Sequence, residues 1–141
     1  TLCILPFSNA WAAKDPVEGT WKTENERAII KIGACDEGMC GTVDWIIEGG
    51  LQYDENNPDE SKRKDPMCGL KILHGFEKED IGEWDNGNIY KADEGDLYDA
   101  NIEIQDDGTL KLRGYVGVSW LGKTQIWKRV EEGSYTPCAM H

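Results

Sequence analysis

The feature that most constrains this chain is strict period-two alternation. Between Leu97 and Gln105, the residues Tyr98, Ala100, Ile102 and Ile104 alternate with Asp99, Asn101, Glu103 and Gln105. In an extended backbone successive side chains point to opposite faces, so this run makes one apolar face and one wet face. The pattern recurs. Ala28, Ile30, Ile32 and Ala34 share one face of Arg27–Cys35; Val43, Trp45 and Ile47 share one face of Cys40–Ile47, opposite Thr42 and Asp44. Leu110, Leu112, Val116 and Val118 continue it against Lys111 and Arg113.

The breaks between these runs read as tight turns. Asp106-Asp107-Gly108-Thr109 separates two alternating segments, and Glu94-Gly95-Asp96 and Asp85-Asn86-Gly87-Asn88 have the same composition. Glycine tolerates positive φ, which hairpin turns demand. Eight strands are expected, near Gly19–Glu24, Arg27–Cys35, Met39–Ile47, Gly69–Phe76, Gly82–Tyr90, Leu97–Gln105, Thr109–Val118 and Lys123–Val130. Short connections favour an up-and-down meander, and closing it into an antiparallel barrel removes exposed edges. The expected fold class is therefore all-β, an eight-stranded antiparallel up-and-down barrel. The glycines of Gly114-Tyr115-Val116-Gly117 read as a barrel corner.

One connection, Glu48–Pro66, is long and polar. Asn57-Pro58-Asp59-Glu60 looks like a helix start, with Asn57 as N-cap and Lys62, Arg63 and Lys64 at the cationic end. A turn or two of helix is expected there, across one end of the domain. Long loops of this kind often bind or cover ligands.

The first residues differ from the rest. Thr1–Phe7 is apolar, and Ala10 and Ala12 have the spacing that signal peptidase reads, so residues 1–13 are expected to be the remnant of a signal peptide and 14–141 the single domain. Cys3, preceded by Leu2, fits a lipoprotein cysteine poorly. The remaining Cys35, Cys40, Cys68 and Cys138 make an even set in a chain read as periplasmic or secreted. Cys35 and Cys40 flank Asp36-Glu37-Gly38-Met39, a four-residue connection between two β-like runs, where a bridge can reach across, leaving Cys68 to pair with Cys138. Zinc is not expected, because the other candidate ligands are far away in sequence.

Acidic residues outnumber basic ones 27 to 15, for a formal net charge of −12. That opposes binding to nucleic acid or to an anionic membrane, which need clustered cations. It also suits a soluble monomer.

Gly19-Thr20-Trp21 with Arg129 on the last strand resembles the Gly-x-Trp signature of lipocalins, in which the Trp plugs one barrel end beneath a basic residue. Further motifs follow in order. They are Gly19-Thr20-Trp21-Lys22, Cys35 with Cys40-Gly41, Asn57-Pro58-Asp59, Cys68-Gly69-Leu70, Ile89-Tyr90, Arg113-Gly114-Tyr115-Val116-Gly117, and Leu121-Gly122 with Thr124-Gln125 and Trp127. Together they resemble the small exported bacterial family called domain of unknown function 2147, over about Glu18–Val130. The resemblance implies a lipocalin-like barrel and export, and it implies no substrate. The long loop lies between the third and fourth strands, not the first and second as in typical lipocalins.

No catalytic constellation is visible. His74 is the single internal histidine, and no nucleophile-elbow, P-loop, dinucleotide or zinc-protease motif occurs. No catalytic residue, cofactor or metal is therefore expected. The aromatic set is more informative. Trp45, Trp84, Tyr90, Tyr98, Tyr115 and Trp120 are the candidates to line a small-molecule pocket, with Ala28, Ala34, Ala100 and Gly114 leaving room inside. Arg113, alternating with Leu112, is expected to point outward. The expected function is an exported binding protein for a small, partly apolar ligand. The alternative is a filled barrel that presents loops such as Ser119–Gly122 or Glu48–Pro66 to a protein partner.

Overall fold

The structure, a computed structural model, describes residues 14–115 and 122–138. Eight strands run in order: β1 (Gly19–Lys22), β2 (Ala28–Cys35), β3 (Gly38–Ile46), β4 (Lys71–Asp80), β5 (Glu83–Lys91), β6 (Asp96–Ile104), β7 (Leu110–Tyr115) and β8 (Lys123–Val130). Each pairs antiparallel with its sequence neighbour, and β1 also pairs with β8, so the sheet closes into an up-and-down barrel. Closure pairs both edges of every strand, which is how this all-β chain avoids an exposed ladder.

The apolar rows converge inside. Trp21, Ile30, Ile32, Met39, Val43, Leu73, Phe76, Ile89, Ala100, Ile102, Leu110, Leu112 and Trp127 form one buried cluster. Phe76 packs tightly within it: its ring lies directly against Gly87, where any Cβ would collide with it. This explains the Asp85–Asn88 motif. It is not a turn but an irregularity within β5, with Asn86 at φ 58° and a register shift between Trp84 and Gly87. The β4–β5 hairpin instead turns at Ile81–Gly82. Periodicity missed the end of β4 because Glu77, Lys78, Glu79 and Asp80 offer no apolar row to detect.

The first end of the barrel is closed. Trp21 is 0 % exposed and donates from Nε1 to the Val17 carbonyl at 2.9 Å. The Arg129 guanidinium lies 4.2 Å from the Trp21 ring and donates to the carbonyls of Glu18 and Pro16 at 3.0 and 2.6 Å. Gly19, at φ 138°, leaves the space that Arg129 fills.

Among the described residues there are two disulfides, Cys35–Cys40 and Cys68–Cys138. The second ties the C-terminal segment to the long connection. Tyr135 also hydrogen-bonds the Asp44 carboxylate, and the Cys138 amide donates to the Asp44 carbonyl at 2.8 Å. The long connection carries a single 3-10 turn, Glu60–Lys62, capped by Asp59 and not by Asn57. Asn57 accepts from the Asp59 amide instead, which closes a local turn before the helix begins. No helix among the described residues is long and apolar enough to cross a membrane. The expected signal-peptide remnant, residues 1–13, lies outside the described residues.

Candidate ligand site

Among the described residues, the end opposite Trp21 is the one that opens into cavities. The β1–β2 turn, the long connection and the β5–β6 turn all reach it. A cavity of about 230 Å³ sits there, floored by Ile30, Val43, Ile72, Ile89 and Trp127. Its rim carries Thr23, Asn25 and Arg27 from the first turn, Gly50, Leu51 and Met67 from the long connection, and Ala92 and Asp93 from the third. A second cavity of about 330 Å³ adjoins it and shares Ile89, Lys91 and Gln125. Tyr98, Leu112, Gly114, Tyr115, Glu94, Gly122 and Lys123 complete its wall. Gly114, which lines this cavity, pairs with the buried Ala100 and puts no side chain into the space.

The polar groups at this end are positioned by one another. Glu94 accepts from the Tyr98 hydroxyl at 2.6 Å and from Lys91 Nζ at 3.1 Å. Those donors, Tyr98 foremost, hold the Glu94 carboxyl below its ordinary range. The same bond pushes the Tyr98 phenol up to about 12. Trp127 Nε1 donates to Gln125 Oε1 at 2.9 Å, fixing an amide beside both cavities.

The long connection is pinned to the barrel by a buried carboxylate. Asp54 is 1 % exposed and accepts from Tyr90 Oη and Asn57 Nδ2, each at 2.7 Å. Burial and this bond raise the Tyr90 phenol well above its usual value. Asn56 donates to the carbonyls of Ala92 and Asp93 at 3.2 and 3.3 Å. The loop is thereby clamped onto the β5–β6 turn.

Of the residues singled out from sequence, Tyr98 and Tyr115 border the larger cavity and Tyr90 the smaller. Trp45 does not line either. A register shift between Ile29 and Ile30 makes Asp44 an extra residue, so Ile30 pairs with Val43 while Ile29 pairs with Trp45. This reverses the alternation after Val43. Trp45 joins the outer row, with Lys22 Nζ 5.8 Å from its ring. Trp84 packs against the core without reaching either cavity, and its buried Nε1 has no partner among the described residues. Trp120, with the rest of the proposed loop tip before Gly122, lies outside the described residues. Ala28 borders the smaller cavity and Ala100 is buried, whereas Ala34, near the hairpin tip, is exposed. Arg113 pairs with Asn101 on the outer row and donates to Thr124 at 3.2 Å.

Sequence reasoning missed the aliphatic floor. Ile30 and Val43 were legible as members of an apolar face but not as cavity wall, since periodicity tells inside from outside and not filled from empty; Ile72 and Ile89 join them only in the folded barrel. His74 is half-buried opposite Asn88, and burial lowers its pKa while Glu37 opposes that shift. No carboxylate hydrogen-bonds its ring among the described residues.

The model of the family described as "Uncharacterized protein conserved in bacteria (DUF2147)" matches residues 19–129. The chain belongs to this family. The match begins at Gly19, beneath Arg129, and ends at Arg129 itself, so it spans the closed barrel from its first strand to its last. Among solved structures, the DUF2147 chain is similar to protein HP1028 of Helicobacter pylori, described as belonging to the lipocalin family. That likeness has a TM-score of 0.74 at 19% identity and covers 83% of this chain and 84% of the other. At that identity it is a likeness of fold. No curated protein matches the sequence.

Proposed function

We propose that this DUF2147 protein binds a small, partly apolar molecule at the open end of its barrel. The observation that carries the reading is the pair of adjoining cavities, about 230 and 330 Å³, in a barrel whose other half is packed around Phe76 and Trp21. Sites of this kind run from ~300 to ~1,000 Å³, so the ligand is small. Its apolar part lies on Ile30, Val43, Ile89 and Leu112. Gln125, Lys91, Glu94 and Tyr98 supply the few polar groups that fix orientation. Binding and release need no covalent chemistry, and the protein acts as a carrier or a sequestering protein. The two disulfides are compatible with an oxidising compartment, and we place its work in the periplasm or outside the cell, as a monomer.

The test is native mass spectrometry of protein purified from an exporting cell, with organic extraction of whatever is bound. A discrete, releasable mass at one equivalent is the expected result. An apo mass, together with no change in tryptophan fluorescence on screening small amphiphiles, would sink the carrier reading. It would move the function to the outer surface, as a module that meets a protein partner.

A further inference from the structure

The Cys35–Cys40 hairpin holds more than a structural bridge. Three donor atoms, one each from Cys35, Glu37 and Cys40, lie within 4.8 Å of one another. Glu37 is exposed and sits inside the loop that the two cysteines close, so its carboxylate folds back over the sulfurs. Cys40 Sγ is 3.4 Å from Glu37 Oε1. A disulfide sulfur has no proton to donate, so in the oxidised protein this is a contact and not a hydrogen bond. Lys71 Nζ also reaches Glu37 Oε1, at 3.2 Å, so both contacts fall on one carboxylate oxygen.

The spacing of the pair, C-x4-C, lies within the range that tetrahedral thiolate sites use. The connecting loop carries a third donor, Glu37, and the fold turns its carboxylate toward the sulfurs. β4 is held against this hairpin tightly, since a Cβ on Gly38 would collide with the Phe76 carbonyl.

We propose that Cys35, Glu37 and Cys40 form a redox-gated site for a thiophilic divalent cation of the zinc type. An external dithiol passes two electrons and two protons to the Cys35–Cys40 bond and becomes a disulfide itself. The two thiols so formed lose their protons to solvent as the cation binds, because the thiolate is the ligand. The Glu37 carboxylate is the third donor, and a water completes the tetrahedron. The oxidised hairpin binds no such cation, since its sulfurs are bonded to each other. The site lies on the β2–β3 hairpin and shares no residue with the cavities at the barrel mouth.

The test uses the full chain and cobalt(II) as a spectroscopic stand-in, in a non-chelating phosphine reductant. Reduced protein is expected to give a sulfur-to-cobalt charge-transfer band that saturates and is displaced by zinc. The oxidised protein and a Cys35→Ser/Cys40→Ser variant should give none, which separates this pair from Cys68 and Cys138 under the same reductant. Glu37→Gln should weaken the metal about tenfold or more. Three results each overturn the proposal. They are a reduced protein that binds no more cobalt than the serine variant, a Glu37→Gln protein that binds as tightly as the parent, and a native Cys35–Cys40 bond that the reductant cannot open.

Discussion

The Arg129 guanidinium stacks 4.2 Å above the Trp21 ring, and two carbonyls of the N-terminal segment hold it there. The first and last strands are thus joined through side chains as well as through their ladder, at the end of the barrel that Trp21 closes. Truncating a fully buried aromatic costs ~3–5 kcal/mol. Trp21→Ala is therefore expected to lower the unfolding free energy, read from the urea transition, by that amount. A loss under ~1 kcal/mol would mean the ring is not the plug. Arg129→Leu keeps cover over the ring but abandons two hydrogen bonds, and should cost less than Trp21→Ala.

The two disulfides should differ in worth. Cys68–Cys138 closes a sequence separation of 70, Cys35–Cys40 one of 5. Loop-closure entropy then gives about 4 kcal/mol for the long one and about 2 kcal/mol for the short one. Denaturant unfolding of the two Cys→Ser pairs, each made alone, reads the difference directly. Equal losses would show that strain or residual structure dominates over chain entropy.

Much of the fold was legible because an extended chain declares its faces. Ala100 and Ile102 turn inward in β6 as the alternation of Leu97–Gln105 requires. Two residues show where that logic stops. Trp45 has the right parity for the interior, yet the extra residue Asp44 rotates it outward, and nothing local in Thr42-Val43-Asp44-Trp45 signals a bulge. The tie between Asp44 and Tyr135 spans most of the chain and exists only once the tail is docked. Asn86-Gly87 carries the composition of a turn, but Gly87 is there because Phe76 needs the space. The candidate site was legible only in part. Tyr98 and Gly114 were visible as inward positions, whereas emptiness is a property of all the facing strands together.

Gly114 controls the larger cavity. A Cβ there would meet Ile89 at 3.6 Å, an ordinary contact, so Gly114→Ala should fold normally. Gly114→Leu carries bulk into the space beside Leu112 and Tyr98. It is expected to lose the retained ligand in native mass spectra at a stability cost of at most ~1–3 kcal/mol. Retention of the same ligand at the same occupancy would locate binding elsewhere.

The Tyr98–Glu94–Lys91 group gives a pH signature. Glu94 is held low by its donors, so the carboxylate form is favoured in the folded protein. Its contribution is present above the ordinary glutamate pKa and lost as pH falls through the lowered one. Tyr98→Phe removes the leading cause and should move the Glu94 titration upward, toward the ordinary value, in a carboxyl-detected NMR experiment. An unmoved titration would mean that Lys91 alone sets it.

The latch between Asp54 and Tyr90 decides how the long connection behaves. Asp54 is buried and has two side-chain donors, Tyr90 and Asn57. Tyr90→Phe leaves the ring in place and removes one of them, so a buried carboxylate loses part of its compensation, at a cost of ~1–3 kcal/mol. The cost falls on the loop before it falls on the barrel, because the strands keep all their ladder bonds. Amide exchange should therefore speed up at Asp54, Asn57 and Met67, whose amides are bonded within the connection, while β6 stays protected. Leu51 and Met67 reach the smaller cavity from this same segment. A loosened connection should release ligand faster, with little change in the rate of capture. If exchange rises equally in β6 and in the loop, Asp54 belongs to the global fold and the connection is not an independent element at the barrel mouth.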